Sequence, residues 1–536
     1  MTINRRSLLG LLGAGVALPG EAVAQPTAAA VTFVHGVASG DPTANGAILW
    51  TRVTPPAGHE APVPVSWRVL EGRKVIEKGE TEARGSRDWT VKVEPRKLKP
   101  GRAYRYQFEA AKVKSPEGQF RTLPAGRTAD VVLAVVSCAL HPGGLFNAYR
   151  AIADLQRVDA VVHLGDYLYE YAPSGYGAST GLRLGRIPEP PREIVTLADY
   201  RTRHAQYKRD PDLQAAHARA AFIAVWDDHE STNDSWVDGA QNHQPDEGNW
   251  GQRKAAAMQA YFEWMPIRDP VPGQPLAAIY RAFRFGDLAT LAMVETRLLA
   301  RSEQAGYGGR NDRAAFAAAL RTRDDPRREL LGPIQAQWLE AELSRSVKAG
   351  EPWQILGNQV VMARVAGVLV TPARVAESYR DRVVAANASF RAGLPFNLDS
   401  WDGYPAARER LYASFRRAGS RPIVLSGDSH AHWANRLADS SGTPVAAEFG
   451  ATAITSPSIG DAMPGIPVGG LLAAVNDEVL FCDQRAKGYV LLTLDRVRAR
   501  AEFRAVSTVM AKPFSVATVA TYETRAGDPA VEMRRV

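Results

Sequence analysis

Between Val31 and Leu123 the apolar positions come in short runs broken by turn residues. Residues 31–36, 47–53, 63–70, 75–82, 89–93 and 102–109 are predicted strands. Tyr104, Tyr106 and Phe108 alternate with polar neighbours, as a half-buried strand requires. Leu98-Lys99-Pro100-Gly101 forms a turn ahead of the last run. Short strands at regular spacing predict a β-sandwich of about 95 residues.

After Thr128 the pattern changes. Residues 131–136 are uninterruptedly apolar, which predicts a strand buried on both faces. Residues 146–155 carry helical periodicity. Residues 160–164 and 222–226 are further buried strands, with a helix predicted over 197–220 between them. A helix at 250–264, a strand at 353–356, a helix at 408–417 and a strand at 423–425 follow. Strands alternating with helices predict a layered α/β core. Residues 173–192, rich in Gly and Pro, are predicted as one long loop of the kind that often serves function.

Length adds that 536 residues exceed what one core holds, so two or more domains are expected. Hydrophobic residues at 45% and charged residues at 23% exclude a disordered chain. The net charge of +8 is diffuse and forms no basic block. It favours anionic substrates over a dedicated nucleic-acid partner. Two cysteines, Cys138 and Cys482, exclude both a disulfide scaffold and a Cys-based zinc finger.

At the N-terminus, Arg5-Arg6 opens an apolar run ending at Leu18, and Ala22-Val23-Ala24 follows. The run is too short to cross a bilayer but fits a signal peptide. The paired arginines point to the twin-arginine export machinery, with an ordinary secretory signal as the alternative. A mature chain starting near Gln25 is therefore expected, periplasmic or secreted, with no stable membrane span. The expected division is a signal over 1–24, a sandwich over 25–125 and a catalytic domain over 126–536.

Four predicted strands each end in a polar cluster: Ser137-Cys138, Gly165-Asp166 through Tyr169-Glu170, Asp227-Asp228-His229-Glu230 through Asn233, and Gly427-Asp428-Ser429-His430. Ligands of open α/β sheets bind beyond the carboxyl ends of strands, so these four ends are expected to converge. Three acids and a histidine after the buried run Phe222-Ile223-Ala224-Val225-Trp226 are costly unless paired or metal-bound. Cys138 reads equally as a buried thiol or a ligand, and Tyr169 as core or ligand. His35 and Asp41, in HGVASGDP, read as turn and interface residues.

Taken together, SCALHPGGLFNAYRAI, HLGDYLYEY, VWDDHE, GNQVV, WDGYPAAR and LSGDSHAHW resemble the PhoD-type alkaline phosphatases, distant relatives of the calcineurin-like metallophosphoesterases. HGVASGDP and ILWTRV match that family's N-terminal sandwich. The resemblance implies a metallophosphoesterase-like layered core behind a sandwich, with Fe(3+) held partly by thiolate and phenolate and Ca(2+) beside it. Such donors agree with those ions. It implies Cys138 and Tyr169 as iron ligands and Asp166 as a bridge. Asp228 and Asp428 would hold the second metal and His430 the first, with Asp227 and Asn233 as further calcium ligands. His229 is the implied catalytic histidine. Gln359 stands where relatives place another ligand. Arg297, in ETRLLAR, is expected either to clamp phosphate or to form a surface ion pair, and Glu295 departs from the family's usual Asp.

The activity so implied is hydrolysis of a small phosphate ester by metal-bound hydroxide, as an alkaline phosphatase. The alternatives are a phosphodiesterase or phospholipase D of the same family, or a non-catalytic exported binding protein.

Overall fold

The computed structural model describes residues 31–307 and 312–536. The expected signal segment lies outside these residues. Two mixed sheets face one another. In the ten-stranded sheet Asp130–Val136, Ala160–His163 and Phe222–Ala224 run parallel as neighbours. Gly488–Asp495 adds antiparallel to the first of these, followed outward by Arg498–Val506 and Val516–Arg525. The seven-stranded sheet is built around the parallel strands Ala289–Met293, Trp353–Gly357, Ile423–Ser426 and Pro444–Gly450.

The faces meet in one core that holds Leu133 and Val135 of the first sheet with Leu291, Ile355 and Leu425 of the second. On its other side the first sheet is covered by the helices Asn147–Ala153 and Pro211–Arg219, through Tyr149, Ile152, Leu213 and Ala216. The helices Pro333–Lys348 and Pro405–Ala418 cover the second sheet through Leu339, Leu343, Leu411 and Phe415. The layered α/β expectation therefore holds.

Two helical expectations change in detail. The single helix over 197–220 is two, Leu197–Lys208 and Pro211–Arg219. Asp210 accepts from the backbone N–H groups of Asp212 and Leu213, and Pro211 opens the second helix, so the pair ends one helix and starts the next. The predicted loop 173–192 contains a short helix, Ala178–Leu184.

The N-terminal strands form a sandwich, but one of its sheets is not its own. Val63–Glu71, Lys74–Ala83 and Ala103–Ala110 pair in a separate sheet with two short strands. Val37–Gly40, Ile48–Arg52 and Thr90–Val93 instead continue the ten-stranded sheet, with Gly40 opposite Phe222. The strand predicted at 31–36 begins only at Val37, because Thr32 makes a lone bridge to Thr54. Asp41 and His35 serve the interface as expected. Buried Asp41 receives Nε and Nη2 of Arg281 at 3.0 and 2.6 Å, and His35 stands edge-on to Trp264.

Candidate metal centre

All four strand-end clusters arrive at one place. Ser137 bridges to Ala453 beyond the second sheet, while the Cys138 and Ala139 amides donate to the carbonyls of Gly165 and Asp166. Glu230 ties the next two turns together by accepting from the backbone of Asp166, Tyr167 and Asp227 at 3.0, 2.7 and 2.8 Å. The turns are tight. Cys138, Asp166, Asp428 and His430 have φ values of +60°, +55°, +59° and +56°. Such left-handed non-glycine residues concentrate at functional sites. Gly165, at φ +109°, must lack a side chain, since a Cβ there would stand 2.4 Å from both N and Cβ of Asp227. A Cβ on Gly427 would meet Ser137 at 2.7 Å, so this glycine lets the two sheets close.

Three overlapping groups of donor atoms result, each within 4.8 Å: Cys138, Asp166 and His430; Asp166, Asp228 and His229; Asp227, Asp228 and Asp428. The Tyr169 hydroxyl joins the first. It donates to Asp166 Oδ2 at 3.0 Å, lies 3.3 Å from His430 Nε2 and accepts from Ser456 at 2.7 Å. His430 Nδ1 donates to the Pro457 carbonyl at 2.6 Å, which leaves the Nε2 lone pair facing the cluster. Burial keeps this imidazole neutral, lowering it to about 3.

The donors fit a cation and fit little else. Asp166 Oδ1, Asp227 Oδ2 and Asp228 Oδ1 are buried with no hydrogen-bond partner among the described residues. Orphaned carboxylate oxygens are costly unless an ion satisfies them. Burial, aided by Asp166, pushes both the Cys138 thiol and the Tyr169 phenol well above their usual ranges. Burial also raises Asp166 and Asp428, and lifts Asp227 to about 6. A bound cation reverses that logic, because it favours the anionic form of every donor. The first group mixes sulfur, phenol and imidazole and suits a transition metal; the carboxylate group suits a hard cation.

His229 lies against the face of Tyr169, ring centroids 4.1 Å apart, and its Nδ1 is 2.7 Å from Glu170 Oε2. Against the effect of burial, Asp228, Glu170 and Asp166 raise this imidazole well above its usual range. Glu170 also accepts from Thr232, the Asn233 amide and Asn242, so its position is fixed. Sequence reasoning gave Glu170 no role, although it closes the second cluster.

Other expected residues sit differently. The Asn233 side-chain amide donates to Gln241 Oε1 at 2.9 Å, and its main-chain amide donates to Glu170. Gln359 uses both ends of its amide within the fold, on Thr296 and the Val294 carbonyl. Arg297 is fully buried, which removes the surface ion pair, and its guanidinium faces carboxylates. Asp399, from the loop ahead of Trp401–Gly403, and Asp234, whose amide donates to Asp228, complete the acidic surroundings. No local pattern marks either. Cys482 lies in the strand Val479–Asp483, and both cysteines are free.

A layered two-sheet core with Asp, His, Cys and Tyr gathered at its strand ends defines a metallophosphoesterase-like phosphoric ester hydrolase. The chain belongs to the PhoD-like phosphatase family: that family's model matches residues 133–503, and the model of its N-terminal domain matches residues 20–124. Alkaline phosphatase D of Bacillus subtilis (strain 168) is 34% identical, over 94% of this chain and 82% of its own. A solved structure of PhoD superposes with a TM-score of 0.79 at 32% identity, covering 94% of this chain and 92% of that one. The non-catalytic alternative is thereby set aside.

Proposed function

We propose that this hydrolase is an exported alkaline phosphatase, with Fe(3+) held by Cys138, Tyr169, Asp166 and His430 and Ca(2+) by Asp227, Asp228 and Asp428. The three buried carboxylate oxygens without a hydrogen bond, beside a buried thiol and phenol, carry this reading. Bound there, the ions supply Lewis acidity at the phosphoryl oxygens and neutralise developing charge. Asp166 shares one group with Cys138 and His430 and another with Asp228, and so links the two halves. Glu170 holds Nδ1 of His229, which leaves Nε2–H to donate to a phosphoryl or leaving-group oxygen as general acid. Asn233 supports the loop through its main chain.

Residues 25–125 are assigned to a supporting sandwich and 126–536 to the catalytic unit, supported by the two family models meeting between residues 124 and 133. Export by the twin-arginine route rests on Arg5-Arg6 and the short apolar run. Replacing both arginines by lysine should abolish periplasmic activity, and unchanged export would end that idea. Among the described residues no helix is long and apolar enough to cross a membrane.

One observation favours diesters as a second reading. A cavity of about 1260 Å³ opens beside His430 and Tyr176, lined by Val370, Phe390 and Phe396, with room for a second ester group. Elemental analysis of the purified enzyme, paired with rates on a monoester and a diester, tests both readings. Iron, calcium dependence and monoester preference are expected. An iron-free enzyme that stays active without calcium would overturn the metal assignment.

A further inference from the structure

One guanidinium faces the whole carboxylate half of the centre. Arg297 Nε donates to Asp227 Oδ1 at 2.5 Å and Nη1 to Asp399 Oδ1 at 2.8 Å. Its Nη2 lies 3.4 Å from Asp428 Oδ1 and 3.7 Å from Asp228 Oδ1. Four carboxylates from three separate loops are thus gathered by one side chain. The base of that side chain is itself fixed. Glu295 accepts from the amides of Arg297, Leu298 and Leu299 and from the Trp226 indole. Arg301 braces Asp399 from the far side, Nη2 to Oδ1 at 2.6 Å. Asp227 Oδ2 and Asp228 Oδ1 remain buried and without a hydrogen bond, the latter only within ion-pair distance of Arg297, so the guanidinium leaves part of the cluster's demand for positive charge unmet.

Buried carboxylates without a counter-charge take up protons or move apart. A cation that leaves reversibly therefore needs something to hold the cluster in its absence. Only a planar, always-charged fork reaches several carboxylates at once. The same charge repels an arriving cation, because both draw on the same oxygens.

We propose that Arg297 is a positioning residue for the second metal, a resident counter-ion that keeps Asp227, Asp228, Asp399 and Asp428 in register when that site is empty and holds divalent binding weak enough to reverse. The proposal rests on the carboxylate half being a divalent-cation site. It assigns Arg297 to the metal in place of the phosphate clamp that the sequence suggests.

The test titrates calcium into the mature full-length protein after dialysis against a calcium chelator. Wild type, Arg297→Gln and Arg297→Lys are compared by calorimetric titration and by thermal melting with and without calcium. Arg297→Gln should melt lower than wild type without calcium, gain more on adding it, and bind calcium about ten-fold or more tightly. Arg297→Lys should fall between, since one ammonium cannot hold four carboxylates together. If Arg297→Gln does not fold, Arg297→Lys decides alone. Calcium binding unchanged or weaker in the folded variants overturns the proposal, even if their melting points fall. No calcium binding by the wild type would instead remove the metal-site reading and the proposal with it.

Discussion

At the scale of single residues, the centre makes separable demands on its donors. Cys138 and Tyr169 are held protonated by burial until a cation arrives, so each should be needed to retain iron. Cys138→Ala should lose iron and most activity, whereas Cys482→Ala, opposite Trp433 and in none of the donor groups, should lose neither. Tyr169→Phe should bleach a visible phenolate-to-iron band while far-UV circular dichroism stays unchanged. Glu170 reaches the reacting atoms through His229, on Oε2, while its Oε1 anchors the following loop. Glu170→Gln should lower kcat by about 10–100-fold with little change in KM. The sign of its pH effect is fixed: Glu170 is one of the carboxylates raising His229, so its neutral variant should lose the protonated imidazole at lower pH. The alkaline limb of the rate profile should move to lower pH, and an unmoved limb would separate Glu170 from His229.

At the scale of elements, the strand ends carry the design and were also its most legible part. Residues 131–136, 160–164, 222–226 and 423–425 are apolar on both faces, and such runs show in a sequence whatever surrounds them. The strand Ala289–Met293, whose apolar run is broken by Thr290, did not stand out. Asp399 and Asp234 were illegible for a different reason: they reach the site on loops, and nothing near them in sequence points at Arg297 or Asp228. Gly165→Ala tests the turn geometry. Its Cβ would collide with the backbone of Asp227, costing about 2–4 kcal/mol and most activity, read by melting and turnover. The helix Leu197–Lys208 ends in a lysine that is buried with Nζ 2.9 Å from His217 Nε2. Burial depresses its pKa well below 10.5, so between that depressed value and 10.5 the unfolded chain binds the extra proton. Its contribution to stability is complete above 10.5 and is lost as pH falls towards the depressed value. Lys208→Met should therefore lack the gain in stability that the wild type shows as pH rises towards 10.5, read by thermal melting across pH.

At the scale of the whole molecule, the sandwich and the catalytic core share a sheet and a buried ion pair. Asp41 receives Arg281 and the Arg268 amide, and its side chain is wholly buried. Arg281 is one-fifth exposed and keeps the Ile279 and Ala224 carbonyls, so Asp41→Ala should cost about 1–3 kcal/mol. Because the strands on either side are continuous, denaturation should remain a single transition in this variant, shifted to lower denaturant. A separate early transition of the sandwich alone would show that the shared sheet does not couple them.

That sheet also sets a timetable. Asp130–Val136 is paired on one side by Ala160–His163, made soon after it, and on the other by Gly488–Asp495, with Leu133 opposite Leu492. At translation rates of about 5–20 residues per second the second partner emerges roughly 20 to 70 s after the first strand. During that interval the most apolar strand of the core has an open edge, the surface on which chains pair with one another. The nascent chain therefore depends on being shielded while it is still on the ribosome, and slowed elongation late in the message should show as aggregation before any change in the finished enzyme.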